Sequence, residues 1–354
     1  MVDFGAIIGD SANWTAKMLF KPFNFKKWMV LTFIALMAGA MSGGGNFNTG
    51  NWGNSGRSHH YESAQQQQQA QPAPKMTPAE KQIMFAVIGC MALFFIAFLI
   101  LFIWLGSRFS FVFLEDVIKN GASIRGPFGA NREIGNSYFR FNLVLTSIFL
   151  IFFGFIVYLF IMAAIKVDLF NTPKPTDAQM GVFFLSMIPA LIGWLILFAI
   201  WAFIAVITVD LAVPIMYKER IRALAAWGRA WALIKKNVGN FIVYVLIKIG
   251  LSIGAGIAYL ILFIIAFIIV LIPFALLVVA LYFLSKAFPA SAAVPYWLIV
   301  GVALTPVFLF LLYCLTALYL PISVFFRAYS VKFLGKLDPQ YELIPTERPL
   351  APQQ

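Results

Sequence analysis

FIVYVLIKIGLSIGAGIAYLILFIIAFIIVL, residues Phe241–Leu271, is the stretch that decides the class of fold. Its 31 residues carry a single charge, on Lys248. A helix that crosses a bilayer needs about 20 consecutive, mostly apolar residues. The stretch is long enough for that, so it predicts a membrane-spanning helix.

Five other stretches of the chain meet or approach the same requirement. They are Trp28–Ser42, Ile83–Leu105, Phe141–Ile165, Met180–Val209 and Tyr296–Phe326. The 354 residues are 62% hydrophobic and 11% charged, whereas a soluble domain carries about a quarter charged residues. We therefore expect an all-α integral membrane protein with six transmembrane helices, arranged as three hairpins.

The distribution of Lys and Arg predicts the orientation of these spans. With six spans and a cytoplasmic N-terminus, 20 of the 26 basic residues fall on the cytoplasmic side and six on the other side. Cytoplasmic segments carry such an excess of positive charge. The prediction is a multi-pass protein of the cytoplasmic membrane with both termini in the cytoplasm. Its net charge of +12 favours anionic lipid headgroups as partners, and no nucleic-acid motif accompanies that charge.

The charge-free run Ile249–Ser285 allows an alternative count. It could hold two spans broken at Pro273, and a seventh span would move the basic C-terminal tail to the outer side. The charge distribution favours one span, followed by a short apolar helix, Phe274–Leu284, at the outer surface. A signal-peptide-like pattern at Lys26-Lys27 is a further alternative, although the 27 preceding residues are long for such a region.

Aromatic and basic segments precede three of the spans and divide the chain into three similar units. The units are 1–107, 108–210 and 211–336, followed by a cytoplasmic tail, 337–354. Internal repetition would explain this order, but any series of hairpins alternates in the same way. Within the first unit, Gly43–Met76 is rich in Gly, Asn, Ser and Gln, which predicts a disordered outer loop.

The segment AAWGRAWALIKKNVGNF, Ala225–Phe241, predicts an amphipathic helix on the cytoplasmic face. Placed at 100° per residue, the apolar residues share one side: Ile221, Leu224, Trp227, Trp231, Ile234 and Val238. The candidate lipid-binding residues are the two tryptophans of that side and four basic residues of the opposite side: Trp227, Trp231, Lys218, Arg222, Arg229 and Lys236. The alternative is that the tryptophans pack against the protein's own helices.

Ionisable residues beside the spans are candidates for function. Asp210 ends the fourth span and Lys248 lies two turns inside the fifth, both on the cytoplasmic side, so the two side chains could pair. The alternative is that Lys248 snorkels to the interface and Asp210 contacts interfacial water. The sequence contains no Ser/His/Asp set, zinc-protease motif or phosphate-binding glycine loop. His59-His60 lack a third metal ligand, and Cys90 and Cys314 lie in apolar runs that predict buried free thiols. We therefore expect no catalytic residue, metal or cofactor.

Several motifs carry a resemblance to a known family. They are the pattern ALxxWxxAWxLIKxNxGNF at Ala223–Phe241 and the stretches SRFSFVFLEDVIKN (Ser107–Asn120), GNSYFRF (Gly135–Phe141) and KPFNFKKW (Lys21–Trp28). The chain resembles a large, mostly uncharacterised set of bacterial six-span inner-membrane proteins, similar to the membrane domain fused to some glycerophosphodiester phosphodiesterases. The resemblance implies the architecture and no activity, because the phosphodiesterase domain is absent.

These observations lead to two expectations for function. The first is a non-enzymatic membrane scaffold or envelope-homeostasis component, with a membrane protein as a possible partner. The alternative is a transporter or permease for a hydrophobic or lipid cargo, because few polar residues line the spans.

Overall fold

The computed structural model describes residues 2–41, 78–167, 176–289 and 293–345, and this part of the chain is helical, without strands. The predicted loop Gly43–Met76, with His59-His60, lies outside these ranges. The α-helices are α1 (Phe4–Phe20), α2 (Phe25–Met41), α3 (Pro78–Lys119), α4 (Arg125–Ala130), α5 (Arg132–Lys166), α6 (Asp177–Ile207), α7 (Val213–Glu219), α8 (Ala223–Lys236), α9 (Val238–Ser285), α10 (Ala293–Ala317) and α11 (Leu320–Leu337).

Five helical segments in the described ranges are long and apolar enough to cross a membrane. They are Ala86–Lys119, Arg132–Lys166, Asp177–Glu219, Val238–Ser285 and Val294–Leu337. By length and composition they make the chain a multi-pass membrane protein. The first predicted span corresponds to α2, a helix of 17 residues, and its crossing of the membrane stays a prediction.

Two predicted boundaries are wrong. Phe274–Leu284 is not a separate helix, because α9 continues through Pro273 without a break. The whole helix has 48 residues and is about 72 Å long at about 1.5 Å per residue. No capping Gly or Asn adjoins Pro273, and prolines are tolerated inside membrane helices. The predicted span Tyr296–Phe326 is interrupted, since α10 ends at Ala317 and α11 begins at Leu320 with Pro321 in its first turn.

The packed core of the molecule lies at one end of the long helices. It combines α1 and α2 with the C-terminal part of α3, the N-terminal part of α5, the α6–α8 region, the start of α9, and α11. By contrast, the most apolar part of each of the five long segments has between 0 and 17% of its residues buried. The segments that the charge distribution placed on one side therefore meet in a single core. The apolar parts of the five long segments contribute little to this core, whereas α2 contributes Leu31, Ile34 and Ala38.

Tryptophan side chains fasten the N-terminal helices to this core. The indole N–H of Trp14 donates to the carbonyl oxygen of Val117 at 3.0 Å, which joins α1 to the end of α3. The indole N–H of Trp28 donates to the carbonyl of Leu19 at 2.8 Å. Near the C-terminal end of the described chain, the ring of Phe333 in α11 packs on Phe4 of α1, with centroids 6.0 Å apart. Both ends of the described chain thus belong to the same core.

Both cysteines are free, but the prediction that both are buried is wrong. Cys90 is exposed and Cys314 is partly buried. The reason is the sparse packing of the long helices: the part of α3 that carries Cys90 faces away from the rest of the protein.

Candidate functional site

A buried ion pair joins α9 to the end of α6. The ammonium of Lys248 contacts Oδ2 of Asp210, and the two residues are 9% and 3% exposed. The hydroxyl of Tyr244 donates to the same carboxylate oxygen at 2.8 Å. Tyr244 and Lys248 are four residues apart in α9, so they share one face of the helix. The structure thus brings together the two ionisable residues that the sequence singled out.

Asp210 lies in a π-helical turn, Thr208–Ala212, between α6 and α7. In an α-helix the N–H of residue 214 would bond to the carbonyl of Asp210, but Pro214 has no N–H. The helix widens instead, and Val213 donates its N–H to the carbonyl of Thr208. π-Helical turns are rare in proteins, and those that do occur are often found at functional sites. All five residues of the turn are buried.

A second cation, Arg327 of α11, reaches the same turn. Its Nη1 donates to the carbonyl oxygen of Val209 at 2.8 Å, and its guanidinium lies 5.7 Å from the ring centroid of Phe113. By its position after the last predicted span, Arg327 is one of the 20 basic residues expected on the cytoplasmic side. Nothing in the local pattern indicated its partner, which is 118 residues away in the chain.

Aromatic rings surround this polar cluster. The ring of Tyr244 stacks on Phe333 with a centroid distance of 4.0 Å and on Tyr329 with a distance of 5.1 Å. Two buried hydroxyls, of Tyr138 and Tyr329, have no hydrogen-bond partner in the described part of the chain. Burying a polar group without a partner costs about 1–3 kcal/mol, so both mark positions where the fold gives up stability.

A second polar cluster closes the C-terminal end of α3. The buried carboxylate of Glu115 accepts hydrogen bonds from Lys119 and from the Asn131 amide, each at 2.7 Å. Asn131 in turn accepts from the guanidinium of Arg220 at 2.6 Å. Arg220 ends α7 with a positive φ of 57°. These contacts connect α3, the turn before α5, and the turn between α7 and α8.

The orientation of α8 differs from the one expected for Ile221–Val238. Its buried face consists of small residues and one isoleucine: Ala223, Ala226, Ala230 and Ile234. Trp227 borders this face, since its N–H donates to the Thr208 hydroxyl at 2.9 Å and its ring lies 6.3 Å from Phe141. Trp231 is 41% exposed and Leu224 is 75% exposed. Trp227 therefore faces the protein, and Trp231 lies on a separate apolar strip with Leu224 and Val238.

The four candidate basic residues do not form one stripe on one helix. Lys218 belongs to α7, Arg222 is the residue before α8, and Arg229 and Lys236 lie on α8. Arg229 makes an ion pair with Glu219. Lys218, Arg222 and Lys236 have no ion pair within the described ranges, and Arg222 and Lys236 are exposed. The α7–α8 turn is responsible, because it changes the direction of the chain between Lys218 and Arg222.

Glu219 also connects α7 to the C-terminal segment. It accepts a hydrogen bond from the Tyr341 hydroxyl, across 122 residues of sequence. Burial raises the pKa of Tyr341 to about 12, and the hydrogen bond to Glu219 adds to the shift. The phenol is therefore protonated at neutral pH and remains a donor, which holds the end of the chain on the α7–α8 region.

The fold and the buried polar cluster around Asp210 define a multi-pass membrane protein with a packed core at one end of its long helices. The model of DUF7544, a family of unknown function, matches residues 6–344, and the chain belongs to this family. No curated protein matches the chain, and no solved structure matches it either.

Proposed function

We propose that the protein is a non-enzymatic membrane scaffold with six spans, α2, α3, α5, α6, α9 and α10, and that its packed core lies in the cytoplasm. The contrast in burial carries this proposal. One end of the molecule is held by the buried Lys248–Asp210 ion pair and by stacked rings, whereas the apolar parts of the long helices are at most 17% buried. Such helices present their surfaces to lipid and to the helices of a membrane-protein partner.

The contacts within the core support an even number of spans. Phe4 near the N-terminus packs on Phe333, so both ends of the described chain lie on the same side of a membrane. Five crossings would place them on opposite sides, and crossing by α2 makes six. The contact between Tyr341 and Glu219 likewise requires an even number of crossings between these residues. Crossings by α9 and α10 satisfy that requirement, and we retain the division into three units, one hairpin each, as part of the proposal.

The location is proposed from charge and resemblance. The 20 to 6 distribution of basic residues favours the cytoplasm for the side that carries the core. The similarity to bacterial six-span inner-membrane proteins, including the membrane domain fused to glycerophosphodiester phosphodiesterases, favours the cytoplasmic membrane of a bacterium. Anionic headgroups are the partners proposed for the exposed basic residues, Arg222 and Lys236 among them.

Photo-crosslinking from the spans would test the scaffold role. A crosslinker at Ile261 of α9, which is 55% exposed, and another at Leu309 of α10, which is 58% exposed, should give the same membrane-protein adduct. A crosslinker at Phe111, which is fully buried, is the control and should give none. Lipid adducts alone from both exposed positions would contradict a scaffold that binds membrane proteins.

The second candidate is a permease for a hydrophobic or lipid cargo. The same sparse packing favours it, because lipid-sized molecules can enter between helices that make few contacts. A flipping assay with a fluorescent phospholipid in reconstituted vesicles separates the two functions. The scaffold predicts a rate equal to that of protein-free vesicles, and acceleration that depends on the amount of protein would support the permease.

A further inference from the structure

The side chain of Arg108 is held in a fixed position at the boundary of a spanning helix. Its guanidinium lies 4.6 Å from the ring centroid of Trp104 and 5.0 Å from that of Phe128. Its Nη2 donates to the amide oxygen of Asn136 at 2.9 Å. Gly135 permits this arrangement, since a Cβ there would lie 3.1 Å from Cγ of Arg108. The stretches SRFSF and GNSYF thus meet around one guanidinium.

No acidic side chain neutralises this guanidinium. Within the described ranges, neither Arg108 nor Arg132 makes an ion pair, although two carboxylate clusters lie in the same core. Arg132 is four residues before Asn136 in α5, so it lies one turn away on the face of the helix that contacts Arg108. The Nε of Arg108 is buried and has no hydrogen-bond acceptor. Two neighbouring cations without an acidic partner form an arrangement that an anion would stabilise.

The level of this pair along α3 indicates the kind of anion. Arg108 is the first charged residue after the apolar run Ile83–Leu105, and Trp104 stands at the end of that run. Tryptophan is enriched where the hydrocarbon meets the headgroups, which places the guanidinium at the level of the lipid phosphates. Arginine is suited to phosphate because its planar fork donates two parallel hydrogen bonds.

We propose that Arg108 and Arg132 form a binding site for the phosphate group of an anionic phospholipid in the leaflet next to the core. Trp104 and Phe128 pack beside the guanidinium of Arg108, and the free N–H groups of its two terminal nitrogens donate to the phosphate. Arg132 supplies a second charge from the exposed start of α5. The acyl chains lie along the apolar part of α3. The site requires that α3 crosses the bilayer, and it is independent of the scaffold role.

Native mass spectrometry of the full chain in detergent, with added lipid, tests the site. We expect one tightly bound phosphatidylglycerol, with phosphatidylcholine bound more weakly. Arg132→Gln should weaken phosphatidylglycerol binding about fivefold, the factor that corresponds to about 1 kcal/mol for one basic residue at an anionic surface. Arg108→Lys keeps the charge but loses the paired donors, so it should also weaken binding. Lys336→Gln removes one exposed charge from α11 and should leave affinity unchanged.

Three results would overturn the site. Unchanged affinity in Arg132→Gln, whose side chain is exposed, would show that no such site exists. Equal weakening in Lys336→Gln would show a general attraction between charges. Displacement of the lipid by an equal concentration of inorganic phosphate would show a free-anion site. In each case the crosslinking test of the scaffold remains separate, because it uses α9 and α10.

Discussion

Lys248 in the first third of α9 forms an ion pair with Asp210 at the end of α6, and both residues are almost fully buried. The pair fixes the start of one long helix against the end of another. Tyr244 donates a hydrogen bond to the carboxylate of Asp210. Arg327 donates one to the neighbouring carbonyl of Val209. The cluster therefore joins α6, α9 and α11 at the point where the core gives way to sparsely packed helices.

Asp210→Ala should destabilise the protein by about 3–5 kcal/mol, because it leaves Lys248 as a buried charge without its partner. The double variant Asp210→Asn/Lys248→Met should lose less, since it removes both charges and retains an acceptor for Tyr244. Reversible unfolding in mixed detergents measures both. Lys236→Gln is the control for an exposed charge. A loss below about 1 kcal/mol in Asp210→Ala would mean that the pair contributes little to stability.

The two tryptophans of α8 should respond differently to substitution. Trp227→Ala removes packing against Phe141 and the hydrogen bond to Thr208, so we expect a loss of about 3 kcal/mol. Trp231→Ala should change the free energy of unfolding by about 1 kcal/mol or less, because its ring is 41% exposed. Equal losses, measured in the same detergent, would show that both indoles face the protein.

Brominated lipid should quench Trp231 and leave Trp227 largely unquenched. The measurement compares Trp227→Phe with Trp231→Phe, so that each variant retains one indole of α8. The quenched fraction should fall in Trp231→Phe and rise slightly in Trp227→Phe, because the latter variant loses an unquenched indole. A fall in Trp227→Phe instead would place the lipid on the face that packs against Phe141.

The basic residues should contribute unequally to binding of anionic vesicles. Arg222→Gln and Lys236→Gln should each weaken binding, by up to about 1 kcal/mol at low salt and less at physiological ionic strength, where the Debye length is about 8 Å. Arg229→Gln should weaken it less, because Glu219 already neutralises this charge. Sedimentation with phosphatidylglycerol vesicles measures the three variants. Identical losses would mean that the Arg229–Glu219 pair does not persist at the membrane.

Reporter fusions test the proposed topology. Fusions after Gly50 and Lys174 should report the outer side, and fusions after Arg132, Lys236 and Gln354 should report the cytoplasm. Lys236 and Gln354 must agree with each other, because Tyr341 contacts Glu219 within one core. Opposite results at these two positions would mean that Val238–Ser285 contains two crossings, and would contradict the contact itself.

The sequence alone determined those features that depend only on the amino-acid composition of an individual segment. Its apolar runs identified the long helices, and the alternating Lys and Arg content identified the segments that meet in the core. Asp210 and Lys248 lie near the ends of consecutive spans on the same predicted side of the membrane, so the sequence identified them as residues that could pair. Each of these inferences needs only the local preference of a segment for lipid or for water.

The tertiary structure alone decided which apolar face of a helix packs against protein and which stays exposed. The pattern of α8 grouped Trp227 with Trp231, but the protein packs on Ala223, Ala226 and Ala230, and the two indoles are separated. Lipid and protein interior are both apolar, so hydrophobic periodicity does not distinguish them. Small residues allow close approach of helices and so define the packed face. The partners of Arg327 and Tyr341 were likewise invisible, because contacts across more than 100 residues leave no local pattern.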